Sequence, residues 1–235
     1  MPSVEVILYA LLGGILPALV WLWFLLREDA RCPEPKPIIA LALLAGMIAV
    51  PLVLPLEQIA ASLLPTGLST IVAWATIEET VKYLLAAVFI LWRREVDESI
   101  DLVIYMFTIA LGFAALENAL FLVAPFSGGD VLGGLVTDNL RFLGSTLLHV
   151  IASSAIGFAL ALSFTKPPYL RTAFAAAGLI LAIALHALFN FLIIEQSGST
   201  TLLAFFLVWS SAIAFFALFE TLRYFRYRHL PNNTC

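Results

Sequence analysis

Charge is what this chain has least of. Asp, Glu, Lys and Arg make up 12% of its 235 residues, hydrophobic residues make up 62%, and the mean hydropathy is +1.03. A soluble domain carries about twice that share of charge, so the composition excludes a water-exposed globule and assigns the chain to lipid. The twelve Lys and Arg form no stripe interleaved with aromatics that would follow a phosphate backbone, which argues against a nucleic-acid partner. Two cysteines, Cys32 and Cys235, make neither a disulfide framework nor a CxxC metal site. No low-complexity tract and no internal repeat is visible.

Long apolar runs fill the space that charge leaves. A span of the hydrocarbon core needs roughly 20 helical residues, and seven windows reach that length: Val6 to Leu26, Ile38 to Leu56, Leu68 to Trp92, Leu102 to Ala124, Phe142 to Phe164, Thr172 to Ile194 and Thr200 to Phe219. The first lacks the basic leader and small-residue cleavage site of a signal peptide and reads as a helix. Pro51 and Pro55 predict a kink or early stop in the second, with Ile59 to Leu64 along the interface. The expected fold is an all-α polytopic transmembrane helix bundle of about seven spans, one domain over residues 1–235 in a cell membrane. The basic residues of the connections set its orientation. Arg27, Arg31, Lys36, Arg93, Arg94, Lys166, Arg171, Arg223, Arg226 and Arg228 fall on one side, and Arg141 alone on the other. The positive-inside rule then places the N-terminus outside and the C-terminus in the cytoplasm, as an odd number of spans requires.

Several of the few charges lie where lipid should be. The third window contains Glu78, Glu79 and Lys82, the fourth Glu117 followed by Asn118, the fifth His149, and the sixth His186 with Asn190 one turn later. Each charge near the bilayer centre costs about 2.5–3.5 kcal/mol on insertion scales. Lys82 is four residues from Glu78 and three from Glu79, within pairing reach of both on a helix, whereas the two glutamates point about 100° apart. One glutamate can therefore face a cavity while the other is held. A purely structural reading makes these an ion pair and interhelical hydrogen bonds. Depth argues for more than that. Counting about 1.5 Å per residue, Glu78, Glu117, His149 and His186 all lie roughly 10–15 Å below the outer surface. Four helices between about 68 and 194 thus bring ionisable groups to one layer.

Two carboxylates and two imidazoles in a low-dielectric cavity suit an activated water. A glutamate can serve as general base. Alternatively Glu78, Glu117, His149 and His186 offer ligands for a zinc ion, which lowers the pKa of its bound water. The ligands would come from separate helices, without the HExxH spacing that puts two on one. The Asn190 amide is placed to donate to a developing oxyanion. Other readings remain at this level: an ion- or proton-coupled transporter, which also uses intramembrane Glu and His but usually shows paired broken helices, or a non-catalytic membrane binding protein.

The ordered motifs carry a resemblance. Glu78-Glu79-Thr80-Val81-Lys82 matches EExxK, Phe113 to Glu117 matches FxxxE, and His149 and then His186 to Asn190 follow on later windows. With the Pro-Glu-Pro at Pro33 to Pro35, this resembles the PrsW family of intramembrane proteases, related to the CAAX prenyl protease and bacteriocin-processing group. The resemblance covers about Arg27 to Asn190. It implies that Glu78 and Glu79 supply the water-activating carboxylate, that Glu117, His149 and His186 complete the site, that Lys82, Phe113 and Asn118 support it, and that Asn190 is the oxyanion donor. It also implies a membrane-anchored protein substrate of the anti-sigma-factor kind. Glu117 stands where the prenyl proteases commonly have His, so prenylated CAAX substrates are not expected. The glycine-rich stretch Pro125 to Asn139 is expected to be a mobile lid beside the mouth of the cavity.

Overall fold

The computed structural model describes residues 2–28, 32–194 and 198–228. Arg31, Ser197 and Cys235 lie outside them. The described residues form eight α-helices: α1 (Val4–Glu28), α2 (Lys36–Leu63), α3 (Leu68–Phe89), α4 (Ser99–Ser127), α5 (Val131–Leu140), α6 (Thr146–Leu162), α7 (Pro168–Ile194) and α8 (Gly198–Arg228), with a π-helical turn, Arg141–Ser145, leading into α6. No strand occurs among the described residues. The protein is an all-α polytopic membrane bundle. Six helices are long and apolar enough to cross a bilayer. The seventh expected window is α3, whose three internal charges keep it below that standard of apolarity.

Burial ranks the helices. In α4 89% of the most apolar stretch is buried, against 22% in α1 and 28% in α8, so α4 is the central post and α1 and α8 lie at the periphery. A helix that is apolar all round has no outward side and is stable only when enclosed. Small residues let its neighbours come close. A methyl on Gly46 of α2 would collide with the Ile109 carbonyl of α4, and one on Gly112 of α4 with the Leu43 carbonyl of α2. Gly14 of α1 meets the backbone of α4 at Ala115 and Ala119 in the same way.

The cytoplasmic-side end of α4, as the basic residues orient it, is fixed by polar contacts. Asp101 Oδ2 accepts the backbone N–H groups of Asp97 and Glu98, at 3.0 and 2.8 Å, closing a capping box. The Tyr105 hydroxyl donates to Glu34 of the Pro-Glu-Pro segment, which ties the first connection to the central helix.

Two local expectations are corrected. Pro51 and Pro55 do not stop the second span: α2 runs through both to Leu63. Each proline removes one ladder N–H, but the flanking residues keep their bonds, and both rings face outward. The glycine-rich stretch is not one open loop either. The fourth helix continues through Pro125 to Ser127, Gly129 turns the chain with φ +77°, and Asp130 caps α5 by accepting the Gly133 N–H at 2.8 Å. Gly133 and Gly134 are helical because that cap outweighs their weak helix propensity.

Candidate active site

Glu78, Glu79 and Lys82 lie in the middle of α3, Glu117 near the end of α4, His149 in the first turn of α6, and His186 in the second half of α7. The bundle brings all six together. A charged residue in an apolar helix can be accommodated only against other polar groups, and these satisfy one another.

Glu79 is the most heavily bonded. Its side chain has no solvent exposure. Oε1 accepts from the Lys82 ammonium at 2.8 Å and from His186 Nδ1 at 2.8 Å, and Oε2 accepts from the Ser153 hydroxyl at 2.7 Å. Because a carboxylate offers only lone pairs, His186 carries its proton on Nδ1 and turns Nε2 toward Glu78 Oε2, 3.8 Å away. A carboxylate that fixes a histidine tautomer in this way sets which nitrogen is available for chemistry.

Glu78 is held more loosely. Its Oε2 is 3.4 Å from Lys82 Nζ, 3.7 Å from His149 Nδ1 and 3.8 Å from His186 Nε2. His149 is oriented by two partners. An ammonium can only donate, so Nδ1 accepts from Lys82 at 3.0 Å, leaving Nε2 to donate to Glu117 Oε2 at 3.1 Å. Phe113 closes the apolar side, its ring centroid 3.9 Å from Lys82 Nζ in a cation–π contact and 5.0 Å from the His149 ring. Asn118, next to Glu117, donates to Thr146 Oγ1 at 2.9 Å and joins α4 to α6 beside the site.

Asn190 lies one turn beyond His186 on α7 and is half-buried. Among the described residues it makes no hydrogen bond with the site side chains.

Two site residues escaped sequence reasoning. Ser153, one turn after His149 on α6, carries no sequence signal, since a lone hydroxyl in an apolar helix usually bonds its own backbone. Glu57 carries one: it is an acid in an otherwise apolar run, just past the end of the second window at Leu56. With α2 intact, Glu57 is half-buried on that helix, in the electrostatic field of Glu78 and Glu117. The Trp74 indole of α3 donates to its carbonyl at 3.2 Å.

One carboxylate and two imidazoles, Glu78, His149 and His186, bring ligand atoms within 4.8 Å of one another. Their hard oxygen and borderline nitrogen donors suit zinc. The layer itself is nearly closed, with side-chain exposures of 7% for Glu78 and 21% for Glu117. A groove of about 420 Å³ lies elsewhere, between α6, α7 and α8, walled by apolar side chains such as Phe158, Phe174, Leu181 and Phe215.

The chain is similar to known proteins over most of its length. A family model described as PrsW family intramembrane metalloprotease matches residues 34–226. Protease PrsW of Geobacillus kaustophilus is 26% identical over 193 residues, covering 78% of this chain and 79% of that protein. Protease PrsW of Oceanobacillus iheyensis is 25% identical over 208 residues, covering 88% and 93%. Protease PrsW of Bacillus subtilis is 22% identical over 189 residues, covering 79% and 83%. No solved structure matches significantly.

Proposed function

Because the chain belongs to the PrsW family of intramembrane metalloproteases, and is therefore a multi-pass membrane protease, we propose that it hydrolyses a peptide bond of a membrane-anchored, single-span protein at the layer formed by Glu78, Glu117, His149 and His186. The observation that carries this reading is the unequal treatment of the two adjacent glutamates. Glu79 has every oxygen engaged and acts as a positioning residue for His186 and Lys82. Glu78 has an oxygen facing two ring nitrogens at 3.7 and 3.8 Å, a gap that suits a water molecule better than direct hydrogen bonds.

In this mechanism Glu78 is the general base. As the water oxygen bonds to the scissile carbonyl carbon, one water proton passes to Glu78, and from there to the leaving nitrogen when the C–N bond breaks. His186 presents Nε2 to the water because Glu79 holds its Nδ1 proton, and Glu117 fixes the orientation of His149. The low dielectric of the closed layer strengthens each of these interactions. Asn190 is the oxyanion donor; its position one turn from His186 puts both side chains on the same helical face. Glu78, His149 and His186 would hold a metal ion, which when bound supplies Lewis-acid polarisation and an acidified water. The substrate class, an anti-sigma-factor-like single-span protein, rests on family resemblance.

The test is cleavage of a single-span substrate by purified protein in liposomes. Glu78→Gln and His186→Ala are expected to lower the rate by at least about 10²-fold, the contribution of a positioned acid–base group, with the fold retained. Normal cleavage by both variants would make the polar layer structural.

A further inference from the structure

Lys82 is among the largest side chains wholly enclosed in the bundle. Its ammonium has three protons to give and three receivers: Glu79 Oε1 at 2.8 Å, His149 Nδ1 at 3.0 Å and Glu78 Oε2 at 3.4 Å. Two of those receivers, Glu78 and His149, also belong to the trio whose ligand atoms converge for a metal. The lysine therefore already draws on most of the donor set that a divalent cation would need.

The two demands are compatible at Glu78 and incompatible at His149. A carboxylate oxygen has lone pairs for more than one partner, but an imidazole nitrogen has a single lone pair in the ring plane. That pair either accepts the Lys82 proton or coordinates a metal. The other ring nitrogen offers no substitute, since Nε2 is turned to Glu117 at 3.1 Å. An ammonium beside a divalent ion adds repulsion that burial does little to screen.

We propose that Lys82 is a built-in competitor for the metal: its hydrogen bond to His149 Nδ1 and a metal on that nitrogen exclude one another, so that metal is held only when Lys82 releases His149. Release does not strand the ammonium. Glu79 and the Phe113 ring, at 2.8 Å and 3.9 Å to the centroid, contact it and stay with it. Metal occupancy and the Lys82–His149 hydrogen bond are then opposed. This inference rests on the reading of Glu78, His149 and His186 as metal ligands.

The experiment is zinc titration of metal-free, detergent-purified protein against a competing chelator. Lys82→Met keeps length and bulk without charge. The double variant Glu79→Gln, Lys82→Met also removes the carboxylate that would be left unpaired, and is compared with Glu79→Gln alone, so the comparison survives if the single lysine variant does not fold. Removing Lys82 is expected to tighten zinc binding about ten- to hundredfold, the range over which outer partners tune metal affinity, and His149→Ala in the same background is expected to abolish the gain. Equal or weaker binding without Lys82 overturns the proposal. Absence of zinc binding in every form overturns it as well, and cleavage by metal-free wild type would then leave the glutamate-activated protease intact. Tighter zinc in the lysine variants beside a wild type that cleaves nothing upholds the competition and removes the protease mechanism instead.

Discussion

Glu78 and Glu79 are neighbours in the chain, yet the halves of the site around them are built on different terms. Around Glu79, contacts of 2.7–2.8 Å tie Lys82 of the same helix, Ser153 of α6 and His186 of α7 to one carboxylate with no solvent exposure. Around Glu78, the distances to Lys82, His149 and His186 open to 3.4–3.8 Å, and half-buried Glu57 and Glu117 stand nearby. A saturated carboxylate is scaffolding, whereas an unsaturated one among imidazoles has capacity left for a substrate or water. One residue's rotation about the α3 axis decides which is which.

The contrast is broken most directly by removing each carboxylate in turn. Glu79→Ala leaves Lys82 and His186 without their shared acceptor and is expected to cost about 3–5 kcal/mol, as removing one partner of a buried pair does. Glu78→Ala is expected to cost far less. Thermal unfolding in detergent checks both, and equal losses would erase the distinction. A smaller effect sharpens the same point: Ser153→Ala deletes one hydrogen bond to a charged group, worth about 1.5–3 kcal/mol, so it is expected to lower stability while leaving the dependence of cleavage on substrate concentration unchanged. A raised KM in that variant would put Ser153 on the substrate side. The smallest effect belongs to the loose half. Glu57→Gln replaces a half-buried carboxyl by an amide of the same shape, so the Tm is expected to hold while cleavage falls about tenfold, the low end for groups that orient a reactive partner. A fall in Tm with normal cleavage would assign Glu57 to the scaffold.

Much of this was legible in the sequence because a membrane simplifies the problem. Each of the seven apolar windows corresponds to a helix, since lipid leaves the backbone no other way to satisfy its hydrogen bonds. The fixed rise of those helices predicted that Glu78, Glu117, His149 and His186 lie at one depth, and the structure brings them together. Rotation about the helix axes was not legible. Spacing allowed Lys82 to pair with either glutamate, and only the arrival of His186 and Ser153 from distant segments made Glu79 the saturated one. Glu57 lies just past the window that ends at Leu56, where Pro51 and Pro55 predict a kink or early stop, although in an apolar segment the helix has no better alternative than to continue. The α5 helix was hidden for the converse reason, as four glycines outweighed one aspartate cap in the reading but not in the fold. Residues Gly129 and Ser197 are the places where cysteine labelling from outside the cell tests the orientation, with Arg93 and Lys166 as cytoplasmic counterparts.

The reciprocal glycine crossing of α2 and α4 carries a consequence for how a substrate gets in. Where Gly46 lies on the Ile109 carbonyl and Gly112 on the Leu43 carbonyl, main chain rests on main chain. No side chain lies at those points to swing aside, and any sliding drives peptide groups into each other. The seam is a weld rather than a hinge. A polypeptide reaching Glu78 sideways from the bilayer would have to part helices, and this seam, like the Gly14 contact of α1 with α4, resists parting.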